Sequence, residues 1–86
     1  MTDDTCSRLR DVLADVLGLD AARAAAFTDD SALLGALPEL DSMAIAMLFG
    51  AIEDRFGIVF ADQDLTGDML ETFGSLRALV AATRAA

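Results

Sequence analysis

Several residue types that perform chemistry in proteins are missing from this chain. Its 86 residues include no histidine, tryptophan or tyrosine, and its six basic residues are all arginines, so lysine is also absent. The chain therefore lacks the commonest general base and zinc ligand, and it has no amine side chain for a Schiff base. We predict a protein that is not an enzyme, with no catalytic residues and no metal ligands.

Cysteine and long hydrophobic runs are also scarce. Cys6 is the sole cysteine, which excludes a disulfide within the chain and is typical of a reducing compartment. No apolar stretch is long enough to span a bilayer, and the first residues do not have the pattern of a signal peptide. We therefore expect a cytoplasmic protein without membrane insertion.

Positive charge is sparse, and acidic residues dominate. Fifteen aspartates and glutamates against six arginines give a formal net charge of −9. A surface of this sign repels the phosphates of nucleic acids and of anionic lipids, so neither is an expected ligand. It favours protein partners with basic patches, because fields of opposite sign raise the rate of encounter.

The apolar residues recur with a helical period over most of the chain. An apolar fraction of 55% is enough for one small core, so we expect a single monomeric domain over residues 1–86. Apolar spacings of three and four predict a first helix that ends at Gly18 and a second helix from Asp41 to Phe56, with Gly57 as its stop. The apolar residues of the first helix are Cys6, Leu9, Val12, Leu13, Val16 and Leu17.

The C-terminal part of the chain predicts two further helices. A brief one begins at Thr66, carries Met69, Leu70 and Phe73, and ends at Gly74. The last helix follows Ser75. The expected fold is therefore all-α, a small four-helix bundle with three main helices and one short helix.

A long connection, residues 19–41, joins the first two helices and has no sustained period. Its alanine-rich part favours a short helical turn after Asp20. Four apolar side chains can attach the connection to the core, namely Phe27, Leu33, Leu34 and Leu37. A crossover of this length predicts that the second main helix runs in roughly the same sense as the first.

The second main helix has two distinct faces. At about 100° per residue, one face groups the core side chains Ile45, Leu48, Phe49, Ile52 and Phe56. The opposite face presents Met43, Met47, Gly50 and Asp54 to solvent. Because helix phases from one sequence are uncertain, a rotated helix with both methionines in the core is the alternative interpretation.

One acidic stretch has the spacing of half a calcium loop. Asp62, Asp64, Thr66 and Gly67 match the first positions of an EF-hand. The twelfth position of such a loop requires glutamate, but Phe73 stands there. We interpret these acids as a solvated turn before a helix.

A hydroxyl at the start of the second main helix has two interpretations. Ser42 can cap the helix, since serine and aspartate are both favoured at helix starts. It can also bear a phosphate ester, because the free N–H groups of a first turn favour negative charge. Catalysis by Ser42 itself is disfavoured, because a serine nucleophile needs a nearby base and the chain has no histidine or lysine.

The residues around Ser42 resemble those of the acyl carrier proteins. The motif Glu39-Leu40-Asp41-Ser42-Met43 precedes an apolar helix that ends in Glu53-Asp54-Arg55-Phe56-Gly57. The resemblance extends over nearly the whole chain and includes its length, acidity and long first loop. It implies that Ser42 is joined to 4′-phosphopantetheine, whose thiol holds an acyl or aminoacyl group as a thioester.

The resemblance also implies partners. A phosphopantetheinyl transferase would load the arm from coenzyme A, with Asp41 helping through a magnesium ion, and acyl-loading and acyl-accepting enzymes would follow. The implied partner-recognition residues are Asp41, Met43, Met47, Glu53, Asp54 and Met69, the last of them flanking the acyl chain. The run from Leu37 to Met43 is similar to dedicated carriers of bacterial exosortase and exopolysaccharide systems.

An unmodified adaptor is the alternative function. An acidic helical protein could dock a partner helix through the Met43 and Met47 face without any cofactor. The two functions differ in their need for the Ser42 hydroxyl, which only a carrier requires.

Overall fold

Four α-helices and two short 3₁₀ turns make up the protein in a computed structural model that describes residues 4–85. The helices are α1 (Thr5–Leu17), α2 (Ala21–Ala25), α3 (Ser42–Phe56) and α4 (Phe73–Ala85). The 3₁₀ turns are Asp62–Asp64 and Gly67–Leu70. The all-α prediction is confirmed, with α1, α3 and α4 as the main helices. Within the described residues, no helix is both long and apolar enough to cross a bilayer.

Glycine ends α1 and α3 as predicted. Gly18 and Gly57 adopt left-handed φ angles of 68° and 66°. The next N–H along the chain then bonds back into the helix, from Leu19 to the Ala14 carbonyl at 3.0 Å and from Ile58 to the Glu53 carbonyl at 3.1 Å. This pairing satisfies carbonyls that a helix end leaves free, and only glycine takes the required angle without strain.

The core is formed by the three main helices together with the connection between α2 and α3. Leu9, Leu13, Leu48, Ile52, Phe73, Leu76 and Val80 are fully buried. Phe27 and Leu33 join them from the connection, and the Phe27 ring stacks on Phe73 with centroids 5.6 Å apart. Leu37 is half-buried and Leu34 is largely exposed, so two of the four expected attachments are buried in the core. Each fully buried side chain contributes about 1.5–3 kcal/mol.

The helix directions differ from the predicted ones. The Arg8 guanidinium, near the start of α1, lies 4.6 Å from the ring centroid of Phe56, the last residue of α3. Arg84, near the end of α4, lies over the same ring and also bonds Asp4 at 2.9 Å. The start of α1 thus meets the ends of α3 and α4. The expectation that α3 runs in the same sense as α1 is wrong, because the long connection folds back onto the core.

The connection is held to the start of α4 by backbone hydrogen bonds. The N–H groups of Phe73 and Gly74 donate to the carbonyls of Ser31 and Asp29, at 2.8 and 3.0 Å. In return, the Leu33 and Leu34 N–H groups donate to the carbonyls of Glu71 and Leu70. The first N–H groups of a helix have no partner inside it, so the connection supplies the acceptors that α4 needs.

Gly74 lies inside α4, so the prediction that it ends a helix is wrong. It belongs to the first turn, and the short helix expected before it is only the 3₁₀ turn Gly67–Leu70. A Cβ at Gly74 would lie 2.7 Å from the Asp29 carbonyl oxygen. The glycine is therefore needed for the close approach of two backbones and not for a break in the helix.

We predict that Gly74→Ala destabilises the protein by about 1–3 kcal/mol, because the new methyl group displaces the Asp29 backbone. Gly50→Ala is the matched control. Gly50 lies in the middle of α3, and its added Cβ meets nothing within 4 Å, so alanine should stabilise the helix by up to about 1 kcal/mol. Urea unfolding followed by far-UV circular dichroism measures the free energy of unfolding of both variants. A Gly74→Ala protein as stable as wild type would contradict the close approach.

Candidate functional site

Asp41, and not Ser42, caps α3. The Asp41 backbone is extended, with φ −100° and ψ −179°, and its Oδ1 accepts the Ala44 N–H at 2.8 Å. Its carbonyl accepts the Ile45 N–H, also at 2.8 Å. These two bonds are the ones an N-cap residue makes. The interpretation of Ser42 as only a helix cap is therefore wrong, since the neighbouring carboxylate already performs that function.

Ser42 is the first residue of α3 and is exposed. Among residues 4–85, none is hydrogen bonded to its hydroxyl, and none accepts the backbone N–H of Ser42 or Met43. The hydroxyl is thus accessible at the positive end of a helix of 15 residues. An exposed hydroxyl beside two free N–H donors fits the attachment of a phosphodiester.

The two methionines lie on the outer face of α3, as the helical period predicted. Met43 is 75% exposed and Met47 is 58% exposed, while Leu48 and Ile52 on the opposite face are fully buried. The alternative in which a rotated helix buries both methionines is therefore wrong. Gly50 and Asp54 are exposed as well. The face defined by Met43, Met47, Gly50 and Asp54 is called the outer face below.

Two other predicted recognition residues have contacts inside the fold. The Oε2 atom of half-buried Glu53 accepts the Phe60 N–H at 2.8 Å and so holds the chain where it returns after Gly57. Met69 is only 6% exposed and packs in the core. Neither position is apparent from a helical wheel, because both depend on how the segment after α3 folds back.

An ion pair that the sequence did not reveal lies just before the Asp41 cap. The Arg23 guanidinium of α2 contacts both oxygens of Glu39, at 2.6 and 3.2 Å. Hydrogen bonding to this guanidinium lowers the pKa of Glu39, and the carboxylate raises the pKa of Arg23. The two residues are 16 positions apart. Only the folded connection brings them together, so no local pattern could have predicted the pair.

All six arginines contact the chain itself. Arg8, Arg23, Arg55, Arg77 and Arg84 form ion pairs with aspartate or glutamate, and Arg10 donates to the Phe27 carbonyl. The acids of the loop after α3, among them Asp62 and Asp64, are exposed. Within the described part of the chain, no three acidic or cysteine side chains are grouped as metal ligands. The charge that faces outward is thus mainly negative.

A surface groove of about 510 Å³ lies between α1 and α2. Its walls include Ser7, Arg10, Leu19 and Ala24. None of the predicted site residues lines this groove, so it is separate from the site at the start of α3.

Comparison with known proteins identifies relatives of the whole chain. The model of the family described as "Phosphopantetheine attachment site" matches residues 7–83. Among solved structures, the chain is similar to a holo acyl carrier protein from Nitrosomonas europaea, determined by solution NMR, with 34% identity and a TM-score of 0.87. That similarity covers 99% of this chain and 100% of the other. No curated protein sequence matches the chain.

The capping geometry predicts that Asp41 and Ser42 differ in their effect on stability. Asp41→Ala should lower the free energy of unfolding by about 1 kcal/mol, because the Ala44 N–H loses its acceptor. Asp41→Asn should change it little, since asparagine caps equally well. Ser42→Ala should also stay within about 0.5 kcal/mol of wild type. Urea unfolding of the three variants tests this order, and a larger loss in Ser42→Ala than in Asp41→Ala would contradict it.

Proposed function

This chain belongs to the family of proteins with a phosphopantetheine attachment site, within which it is an acyl carrier protein, and we propose that Ser42 bears its 4′-phosphopantetheine. The exposed Ser42 hydroxyl, left free because Asp41 caps α3, is the observation that supports this assignment. The bound arm supplies a thiol, which holds the cargo as a thioester.

We propose that the protein is not an enzyme and that a phosphopantetheinyl transferase makes the bond to Ser42. A serine oxygen needs a base to remove its proton, and the chain contains neither histidine nor lysine. The contribution of this chain is to hold the hydroxyl at the surface and to be recognised. On this proposal residues 1–86 act as one carrier domain in the cytoplasm. The exosortase or exopolysaccharide subtype stays a prediction.

Asp41 is proposed to assist the transferase through magnesium. One carboxylate oxygen of Asp41 is engaged by the Ala44 N–H, and the exposed side chain has a second oxygen that can approach a cation. A carboxylate beside a phosphate repels it unless a cation lies between them. Asp41 would thus have two roles, as helix cap and as magnesium neighbour, and Asp41→Asn separates them because it keeps the cap and removes the charge.

The outer face of α3 is proposed as the surface that partner enzymes contact. Its two methionines give an adaptable apolar contact, and Asp54 adds negative charge for a basic rim on the partner. Glu53 lies beside this face with one oxygen engaged, and buried Met69 is better suited to flank an acyl chain inside the protein. The adaptor alternative relies on the same two methionines, and the proposed carrier function also uses them as partner contacts.

The central experiment is intact mass spectrometry of the protein after incubation with coenzyme A, magnesium and a broad-specificity phosphopantetheinyl transferase. We expect wild type to gain one phosphopantetheine and Ser42→Ala to gain none while remaining folded. Asp41→Asn should be modified more slowly and require more magnesium, with stability like wild type. Thr66→Ala is the control for a different exposed hydroxyl and should be modified normally. Modification of Ser42→Ala would refute the assignment.

The proposed recognition surface makes a separate prediction. Met47→Ser should raise the KM of the transferase about tenfold with kcat unchanged, because an apolar contact of methionine size is lost. Val59→Ser is the matched control, since Val59 is 82% exposed but lies outside α3 and should have no effect. The increase in KM caused by Met47→Ser should persist at high salt. Any increase in KM caused by Asp54→Asn should become smaller at high salt, because salt screens the charge. An unchanged KM in Met47→Ser would exclude the outer face from transferase recognition.

A further inference from the structure

We propose that the Arg23–Glu39 ion pair is a positioning pair for the modification of Ser42, which rests on the proposed attachment at that residue. The pair would hold the backbone that leads into Asp41 in the orientation a transferase binds. Neither side chain needs to touch the cofactor or the enzyme. The pair joins helix α2 to the segment before Ser42, and both have few other contacts that hold them in place.

The segment before Ser42 has few other attachments. Gly35, Ala36 and Pro38 are exposed, and Gly35 has a left-handed φ of 85°. Leu40 is the only buried residue between Leu34 and Asp41, Leu37 is half-buried, and the Leu40 N–H donates to the Leu37 carbonyl. Glu39 is two residues before the cap, and its carbonyl accepts the Asp41 N–H at 3.2 Å. An attachment at Glu39 therefore limits movement of the cap residue directly.

Helix α2 provides the other half of the pair. A helix of five residues has no stability of its own in water, so contacts with its surroundings must hold it. Asp20 caps it by accepting the Arg23 N–H at 2.8 Å, and Ala24 is buried. Arg23 thus has two contacts: its backbone N–H bonds the Asp20 cap, and its guanidinium binds Glu39. This links the start of α3 to α2 and, through α2, to α1.

The geometry of the pair suits a positioning role. The two terminal guanidinium nitrogens both contact the carboxylate, and two parallel contacts fix its direction as well as its distance. An exposed ion pair contributes little to global stability, so its effect should be local. Arg77 and Asp29 form a second two-contact pair, at 2.9 and 3.1 Å, which binds α4 to an earlier part of the connection.

Glu39→Gln is the test variant, and Asp29→Asn is its matched control. In both, an amide replaces a carboxylate that contacts one arginine twice. We expect Glu39→Gln to raise the KM of the transferase about two- to fivefold with kcat unchanged, because a smaller fraction of molecules presents Ser42 correctly. Amide hydrogen exchange at Leu40, Asp41 and Ala44, whose N–H groups are hydrogen bonded, should quicken to a similar degree. Asp29→Asn should change neither measurement.

A charge swap distinguishes positioning from direct contact with the transferase. Arg23→Glu combined with Glu39→Arg restores the pair with its charges exchanged, and glutamate is acceptable at the third position of α2. Restoration of the wild-type KM supports positioning. A KM that remains raised in the swap, with normal hydrogen exchange, would mean that the transferase reads the Glu39 charge and would overturn the inference.

The mass gain of wild type tests the attachment at Ser42, and the KM of Glu39→Gln tests the positioning role separately. If wild type gains phosphopantetheine at Ser42 and Glu39→Gln has a wild-type KM, the positioning role is refuted and the attachment site stands. If wild type gains nothing from an active transferase, both are refuted. Equal increases in KM for Glu39→Gln and Asp29→Asn would also refute the positioning role, since loss of any ion pair on the connection would then have the same effect.

Discussion

The fold depends on hydrogen bonds between the backbone of the long connection and the start of α4. The carbonyls of Asp29 and Ser31 accept the first N–H groups of α4, and the N–H groups of Leu33 and Leu34 find acceptors just before that helix. A buried backbone group without a partner costs about 1–3 kcal/mol. The connection and the start of α4 therefore stabilise each other. This mutual pairing lets a connection without regular structure form part of the core, with Leu33 fully buried behind it.

The position of Ser42 follows from that pairing. The connection is buried at Leu33 and again at Leu40, and the next residue, Asp41, turns into α3 as its cap. Because the carboxylate of Asp41 accepts the Ala44 N–H, the Ser42 hydroxyl is not needed as the helix cap, and Ser42 is exposed. The protein thus presents the Ser42 hydroxyl at its surface, which agrees with the proposed loading by another enzyme.

Local patterns predicted the features that depend on local physics. The apolar period gave α1 and α3, and Gly18 and Gly57 ended them because a left-handed residue closes a helix whatever surrounds it. Gly74 is required for a different reason, the close approach of Asp29, which is 45 residues away in the sequence. The prediction that Gly74 ends a helix was therefore wrong. The helix directions, the Arg23–Glu39 pair and the burial of Met69 likewise depend on contacts between distant segments.

The distribution of charge shows how a chain of this size can separate stability from recognition. Each of its arginines contacts other parts of the chain, so positive charge helps to join the helices and the connection. The net charge of the chain is strongly acidic, and Met43 and Met47 form an exposed apolar area on α3. Acidic charge speeds encounter with a basic partner but discriminates poorly between basic partners, whereas a shaped apolar contact discriminates at short range. Selectivity among partner enzymes should therefore reside in the methionines more than in the charge.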